Sequence, residues 1–185
     1  MSVGGWDNTA RVWEVATGKE ISRMTHDALV ESAIFNPYGN YVVSGSNDRT
    51  ARVWGTATGK EIARMTHDDS VLWVKFSPDG KFVISGSADK TVRVWDAISG
   101  KEITRMNPDT RFAYGTFSPD GKYVIDNTAH VWFWRPEDLL SNACAYLPRN
   151  LNRAEWEQYI GGGLPFQAVC SNLPIEPEST PTSTP

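Results

Sequence analysis

The chain has 185 residues and a formal net charge of −4, with 22 acidic and 18 basic side chains. This balance lacks the basic footprint of nucleic-acid-binding proteins, and no apolar run approaches the length of a membrane span. The first residues show no basic region followed by an apolar stretch, so no secretory signal is predicted. We therefore expect a soluble, cytoplasmic protein that binds neither nucleic acid nor membrane, built as one domain or as one domain plus an appendage.

A repeat of 41 residues organises most of the sequence. Tryptophans recur at Trp13, Trp54 and Trp95, and valines, methionines and glycines recur in the same phase. A fixed period of this length predicts a repeat architecture. In the clearest copy, hydrophobic and β-branched runs separated by tight turns predict four strands, over Val71–Phe76, Lys81–Ser85, Thr91–Trp95 and Lys101–Met106.

The repeats differ in completeness along the chain. Residues 1–25 hold only part of a repeat and begin inside its second strand, whereas residues 26–66 and 67–106 are two whole repeats. Residues 107–134 form a degenerate fourth repeat, in which Pro108 stands where histidine is expected and a Ser-Gly-Ser-Ala element is missing. Because natural folds rarely begin in the middle of a strand, we expect a truncated copy or a fragment of a longer array.

The recurring motifs resemble the WD40 repeat. The match consists of His67, a strand ending in Phe76-Ser-Pro-Asp-Gly80, a Ser85-Gly-Ser turn and Asp89-x-Thr-Val-x-Val-Trp95-Asp96, and it covers about residues 1–134. WD40 repeats form β-propellers, in which each four-stranded sheet is a blade. The resemblance implies an all-β fold, namely an incomplete WD40-type β-propeller of about three to three and a half blades.

The resemblance also implies a buried structural network in each whole repeat, made from a histidine, a serine, an aspartate and a tryptophan. By position these residues are His26, Ser44, Asp48 and Trp54, and then His67, Ser85, Asp89 and Trp95. Buried indole and imidazole N–H groups need acceptors, and an aspartate beside a histidine orients its ring. A catalytic reading of His67 with Asp89 is disfavoured, because the same pair occurs in both repeats.

The composition changes after the repeats, and two helices are predicted. Pro136–Leu147 begins with proline and acidic residues, which suit a helix N-terminus, and Asn152-Arg-Ala-Glu155 is a capping-box pattern that opens a second helix. We expect a short C-terminal α-helical appendage over residues 135–175 and disorder over the Pro-, Ser- and Thr-rich residues 176–185. The appendage resembles the helical tail that follows WD40 arrays in large bacterial signalling proteins.

Both cysteines, Cys144 and Cys170, fall in this tail. We expect them to pack as a buried pair of small apolar groups. A disulfide is the alternative, which the reducing compartment inferred above disfavours. A nucleophilic role lacks a histidine or basic partner nearby in sequence.

The sequence contains no phosphate loop, metal cluster or nucleophile elbow, so we expect no cofactor, no metal site and no enzymatic activity. By resemblance, WD40 propellers hold a protein or peptide partner on the face that carries their hydrogen-bonded loops. The positions implied to lie on that face are Trp6, Leu29, Glu31, Asn47, Ser70, Leu72, Ala88, Arg111 and Ala113. Trp6 and Arg111 are the favoured anchors, because such side chains dominate binding hot spots.

Two alternatives compete with this non-catalytic scaffold role. An incomplete propeller exposes an apolar blade face and unpaired strand edges. The chain is then either a truncated remnant without independent function or a protein that self-associates through its open propeller edges. The other alternative is a hydrolase that uses His67 with Asp89, or Cys144, and it requires a turnover that is lost on His67→Ala while the fold stays intact.

Overall fold

The computed structural model describes residues 2–3, 7–108, 114–135, 138, 144–146, 149–150, 152, 170 and 173–174. The chain divides into two compact units, Met1–Arg135 and Pro136–Pro185. The first unit consists of antiparallel strands arranged in four sheets. Among the described residues, no helix has the length and apolar character needed to cross a membrane.

The sheets follow the repeats, and each is a meander in which strands adjacent in sequence are paired. Sheet 1 contains β1 (Ser2–Val3), β2 (Thr9–Trp13) and β3 (Glu20–Thr25); sheet 2 contains β4 (Val30–Phe35), β5 (Tyr41–Ser46), β6 (Thr50–Gly55) and β7 (Glu61–Thr66); sheet 3 contains β8 (Val71–Phe76), β9 (Phe82–Ser87), β10 (Val92–Asp96) and β11 (Glu102–Met106); sheet 4 contains β12 (Gly115–Phe117), β13 (Tyr123–Asp126) and β14 (Val131–Phe133). Sheets 2 and 3 are therefore four-stranded, and three strands are described in each of sheets 1 and 4.

A short hydrogen-bonded turn joins the first two strands of sheet 3. Ser77 Oγ donates to Asp79 Oδ1 at 2.5 Å and accepts a hydrogen bond from the Phe82 amide at 3.0 Å. Gly80 completes the turn with φ of +67°, a conformation that glycine adopts without steric cost. The same turn recurs in sheet 4 around Ser118. The repeated Ser-Pro-Asp-Gly element thus fixes the turn between the first two strands of sheets 3 and 4.

The hydrophobic core lies between consecutive sheets. We call the face of a sheet that packs on the preceding sheet its leading face, and the opposite one its trailing face. Val43, Val53 and Met65 on the trailing face of sheet 2 pack with Val83 and Trp95 on the leading face of sheet 3. Full burial of such side chains contributes about 1.5–3 kcal/mol each, so each sheet depends on its neighbour. Among the described strands, successive sheets stack in this way without closing into a ring, which confirms the predicted all-β, incomplete propeller.

The second unit is described at a few positions only. Asp138 and Cys144–Tyr146 are helical, and they fall within the first predicted helix. The second predicted helix and the predicted disordered residues 176–185 lie outside the described residues. The helical part of the described chain is therefore minor beside the sheets.

The two cysteines form a disulfide, so the expectation of an unbonded buried pair is wrong. Cys144 and Cys170 are 26 residues apart, and Asn150 holds the chain around them. Buried Asn150 donates through Nδ2 to the carbonyl oxygens of Cys170 and Leu173, at 2.9 and 2.7 Å, and its Oδ1 accepts from the Cys170 amide at 2.8 Å. These bonds bring together two segments that no periodic pattern in the sequence connects.

Candidate functional site

In sheet 2, four predicted network residues meet around the hydroxyl of Ser44. Ser44 Oγ lies 2.6 Å from His26 Nε2 and accepts a hydrogen bond from Trp54 Nε1 at 2.7 Å. His26 Nδ1 lies 2.9 Å from Asp48 Oδ2. His26 belongs to the loop between sheets 1 and 2, whereas its partners lie on β5, on the following turn and on β6. The network therefore fastens that loop to the blade.

The corresponding residues of sheet 3 form the same network. Ser85 Oγ lies 2.8 Å from His67 Nε2 and accepts from Trp95 Nε1 at 2.7 Å, and His67 Nδ1 lies 3.0 Å from Asp89 Oδ2. Both histidines and both serines are buried. One arrangement of polar side chains thus occurs twice, as the repeat implies.

The donors and acceptors of this network assign one protonation state. The indole of Trp95 can only donate, so Ser85 Oγ accepts its proton and directs its own hydroxyl proton to His67 Nε2. His67 then carries a proton on Nδ1 and donates it to Asp89. Burial lowers the pKa of His67 below 6.5, although Asp89 acts in the opposite direction. The ring is therefore neutral in the folded protein.

The aspartates of the networks are ionised. Burial alone would raise the pKa of Asp48, but hydrogen bonds from Thr50, from the Asp27 amide and from His26 outweigh burial and lower the pKa to about 2. The pKa of Asp89 is lowered for the same reasons. Each network therefore holds one buried negative charge beside a neutral imidazole.

Sequence reasoning missed a threonine and an arginine in each network. Thr91 Oγ1 donates to Asp89 Oδ1 at 2.6 Å and accepts from Arg93 Nε at 2.9 Å. The buried guanidinium of Arg93 also donates to Asp89 Oδ2 and Asp68 Oδ2, at 2.8 Å each. The equivalent residues in sheet 2 are Thr50, Arg52, Asp48 and Asp27. A polar pair that recurs at the 41-residue period inside a buried strand was the available signal.

The structure groups the described partner-facing candidates of the first whole repeat. The Asn47 amide donates to the carbonyl oxygen of Leu29 at 2.9 Å, and Asn47 Nδ2 donates to Glu31 Oε1, also at 2.9 Å. The three candidates therefore lie side by side, and an additional hydrogen bond between side chains holds two of them.

The candidates of the second whole repeat are grouped in the same way. The Ala88 amide donates to the carbonyl oxygen of Ser70 at 2.9 Å. Leu72 occupies the position that Glu31 has in sheet 2, so this group is more apolar. The other three candidates, Trp6, Arg111 and Ala113, lie outside the described residues.

A β-bulge positions one residue of each group. The pairing of β4 with β5 shifts between Val30 and Ser32, and that of β8 with β9 shifts between Val71 and Trp73. The extra residues are Glu31 and Leu72. Bulges redirect side chains at strand ends and are frequent beside functional sites.

An aromatic stack that was not predicted lies next to Leu72. The rings of Trp73 and Tyr114 have centroids 5.9 Å apart and planes inclined by 16°. The two residues are 41 positions apart in the sequence, and Tyr114 is largely exposed. The stack extends the apolar part of the surface from sheet 3 towards sheet 4.

Four meandering sheets packed face to face, two of which contain the same His–Ser–Trp network, define a β-propeller-type repeat protein. The family model described as WD domain, G-beta repeat matches residues 18–55 and 59–96. These two segments are therefore WD40 repeats, as predicted. WD40 repeats act in general as non-catalytic protein–protein interaction modules.

A solved structure supports the same fold. The crystal structure of the computationally designed Ika4 protein is similar to this chain, with 28% sequence identity and a TM-score of 0.61. The similarity covers 71% of this chain and 82% of that chain. Among curated proteins, none matches the sequence. The incomplete WD40-type propeller is thus supported by repeat sequence and by structure.

Proposed function

We propose that the chain is a non-catalytic scaffold that holds a protein or peptide partner on its loop face. The loop face is defined here by Leu29, Glu31, Asn47, Ser70, Leu72 and Ala88. The observation that carries the proposal is that backbone hydrogen bonds join Asn47 to Leu29 and Ala88 to Ser70 in equivalent places. Two repeats thereby present one composite surface, which is polar on sheet 2 and apolar on sheet 3.

The buried networks support this role by making the loops rigid. His67 and Asp89 anchor the loop that leads into β8, and Arg93 binds the exposed carboxylate of Asp68 in the same loop. A loop that is already ordered loses little conformational entropy when a partner binds. Binding energy from the contacts of Ser70 and Leu72 is then available for affinity.

The geometry of the networks favours a structural role over a catalytic one. Ser85, His67 and Asp89 have the order of a hydrolytic triad, but Ser85 has 0% exposure and its Oγ already accepts the indole proton of Trp95. A substrate carbonyl would have to displace the packed tryptophan to reach that oxygen. The duplicate in sheet 2 is equally buried, which supports a structural role for both.

The C-terminal tail, residues 135–175, leads to a proposal about the larger protein and the compartment in which the chain works. Its resemblance to helical tails after bacterial WD40 arrays supports a place within a larger bacterial signalling or regulatory protein in the cytoplasm. The cytoplasm keeps most thiols reduced, so the bond between Cys144 and Cys170 would have to be shielded or transient there.

A selection of displayed peptides tests the loop face. Peptides selected on the wild-type protein should lose at least about tenfold in affinity on Leu72→Glu/Ala88→Glu, since a buried charge opposes an apolar contact. Ile98→Glu is the matched control, because Ile98 is an exposed apolar residue in the turn between β10 and β11. Peptides that bind the control and the loop-face variant equally well would refute the proposal.

Self-association through the open edges is a second candidate function. The exposure of Ile125 and Val131 on sheet 4 favours it, because their counterparts in sheet 3, Ile84 and Val94, are fully buried. Light scattering during size-exclusion chromatography tests it, and a monomer at every concentration would count against it. A remnant without independent function is the remaining alternative, and it predicts neither selected peptides nor association.

A further inference from the structure

A pocket lies at the end of the first strands that is opposite to the loop face. It encloses about 340 Å³ and is lined by residues of β4, β8 and β12 and of the turns that follow these strands. The loop-face residues Leu29 and Ser70 precede β4 and β8, whereas the pocket lies where these strands end. The pocket is therefore separate from the proposed partner surface.

Three successive repeats supply an apolar floor for this pocket. Phe35, Phe76 and Phe117 each end a first strand at the 41-residue period, and all three line the pocket. Ile34 lies beside them and is 38% exposed. Two residues after each phenylalanine, an exposed proline also lines the pocket. An apolar ligand group would therefore find apolar surface on several sides.

One cation interrupts this apolar lining. Lys75 has the strand position that Ile34 has in the preceding repeat, and it is the one charged residue among the described residues that line the pocket. Its Nζ donates a hydrogen bond to Thr116 Oγ1 at 3.1 Å. Because an ammonium group has three N–H donors, the contact with Thr116 leaves donors for a ligand.

The charge of Lys75 is not balanced in the way that other exposed charges are. The exposed arginines Arg64 and Arg105 each form an ion pair with a glutamate three residues earlier. Within the part of the chain that the structure describes, Lys75 contacts a hydroxyl and no carboxylate. Low-polarity surroundings strengthen the attraction between opposite charges. The pocket therefore favours an anion over a neutral or cationic group beside Lys75.

We propose that this pocket binds a small carboxylate with an apolar body. The apolar body packs against Ile34 and Phe76, and the carboxylate accepts a hydrogen bond from Lys75 Nζ. The volume lies at the lower end of the range of about 300–1,000 Å³ that is typical of small-molecule sites, so a single ring or a short chain with one carboxylate fits. The inference goes beyond the proposed scaffold role and stands or falls independently of the loop face.

Methyl NMR of the full chain with isotope-labelled isoleucines tests the pocket, because Ile34 lines it. Phenylacetate should shift the Ile34 signal in a saturable way, with a dissociation constant of about 1 mM or less. The signal of Ile98, in the turn between β10 and β11, should not move. Phenylacetamide has the same ring without the charge and should bind about threefold to fivefold more weakly, as expected for the loss of a partly exposed ion pair. Acetate, which lacks the apolar body, should not saturate the site.

A lysine variant assigns the preference for the carboxylate. In Lys75→Met, phenylacetate and phenylacetamide should bind equally well within about twofold, while the other isoleucine signals show that the fold is unchanged. Lys60→Met is the matched control, because Lys60 is exposed in the turn between β6 and β7, and it should keep the wild-type preference. The proposal is overturned if phenylacetate leaves Ile34 unmoved, if the wild type binds acid and amide equally, or if Lys75→Met retains the preference.

Discussion

The indole of Trp132 donates a hydrogen bond to Asp126 Oδ2 at 2.7 Å. Asp126 lies 41 residues after Ser85 and has the strand position of that serine, because it pairs with Gly115 in β12. Its other oxygen accepts from Thr128 Oγ1 at 2.6 Å, as Asp89 does from its own threonine. A single carboxylate therefore replaces both the serine and the aspartate of the complete networks, which is how sheet 4 tolerates its missing residues.

Replacing Asp126 should destabilise sheet 4. Asp126→Ala leaves the partly buried indole N–H of Trp132 without its acceptor, and the free energy of unfolding should fall by about 2–3 kcal/mol. Asp126→Asn should lose less, because its amide oxygen can still accept a hydrogen bond. Urea unfolding followed by tryptophan fluorescence measures both, with exposed Lys122→Ala as the control. Equal values for Asp126→Ala and the control would show that the hydrogen bond is not stabilising.

Removal of a network serine should leave two buried polar groups without a hydrogen-bond partner. Ser85→Ala leaves Trp95 Nε1 and His67 Nε2 unpaired in the core, so we expect a loss of about 2 kcal/mol. Ser44→Ala should lose a similar amount, and the double variant should be additive within about 0.5 kcal/mol, because the two networks share no partner. Denaturant unfolding gives these values, and exposed Ser99→Ala should change them little. A marked departure from additivity would mean that the networks are coupled.

Stability should fall in two steps as the solution is acidified. The folded-state pKa values of His26 and His67 are lowered below 6.5, so the unfolded chain binds more protons there and stability present above pH 6.5 is lost as pH falls. Asp48 follows, because its pKa of about 2 lies below its ordinary 3.8, and its contribution is lost between these values. Thermal unfolding from pH 8 to pH 2 measures both steps.

Variants assign the first step to the histidines. His26→Gln/His67→Gln should be less stable at pH 8 and should show a flatter dependence between pH 7 and pH 5, since no imidazole is left to protonate. His130→Gln is the matched control, because His130 is exposed on sheet 4. An unchanged slope in the double variant would assign the step to other groups.

The sequence predicts the sheets because the period locates residues that the fold needs in every copy. Trp54 and Trp95 recur in phase, and the structure places each against a serine. The period does not predict that Asp126 accepts hydrogen bonds from both Trp132 and Thr128. The deletion in this repeat places Asp126 at the strand position that a serine has in the complete repeats. The period also does not predict the disulfide partner of Cys170. That partner depends on the course of a segment without repeats, which the hydrogen bonds of Asn150 hold in place.

Arg93 should contribute more than a surface arginine. Its guanidinium is buried against Asp89, so Arg93→Met leaves an uncompensated carboxylate and should reduce the unfolding free energy by about 3 kcal/mol. Arg93→Lys should recover only part of this loss, because lysine lacks the planar fork that contacts two carboxylates. Arg105→Met is the control, since that arginine is largely exposed beside Glu102 and should lose less than about 1 kcal/mol. Similar losses in Arg93→Met and the control would mean that burial does not strengthen the ion pair.

Reduction should loosen the second unit and leave the sheets unchanged. The bond between Cys144 and Cys170 closes a loop of 26 residues, which stabilises a fold by about 3.5 kcal/mol through the entropy of the unfolded chain. Limited proteolysis with mass spectrometry should show cleavage between residues 145 and 169 at least tenfold faster with reductant, while cleavage within 7–108 stays constant. Cys144→Ser/Cys170→Ser should reproduce the fast cleavage without reductant. If the rates do not change, the contacts of Asn150 hold the segment without the disulfide, and Asn150→Ala in the reduced protein should then release it.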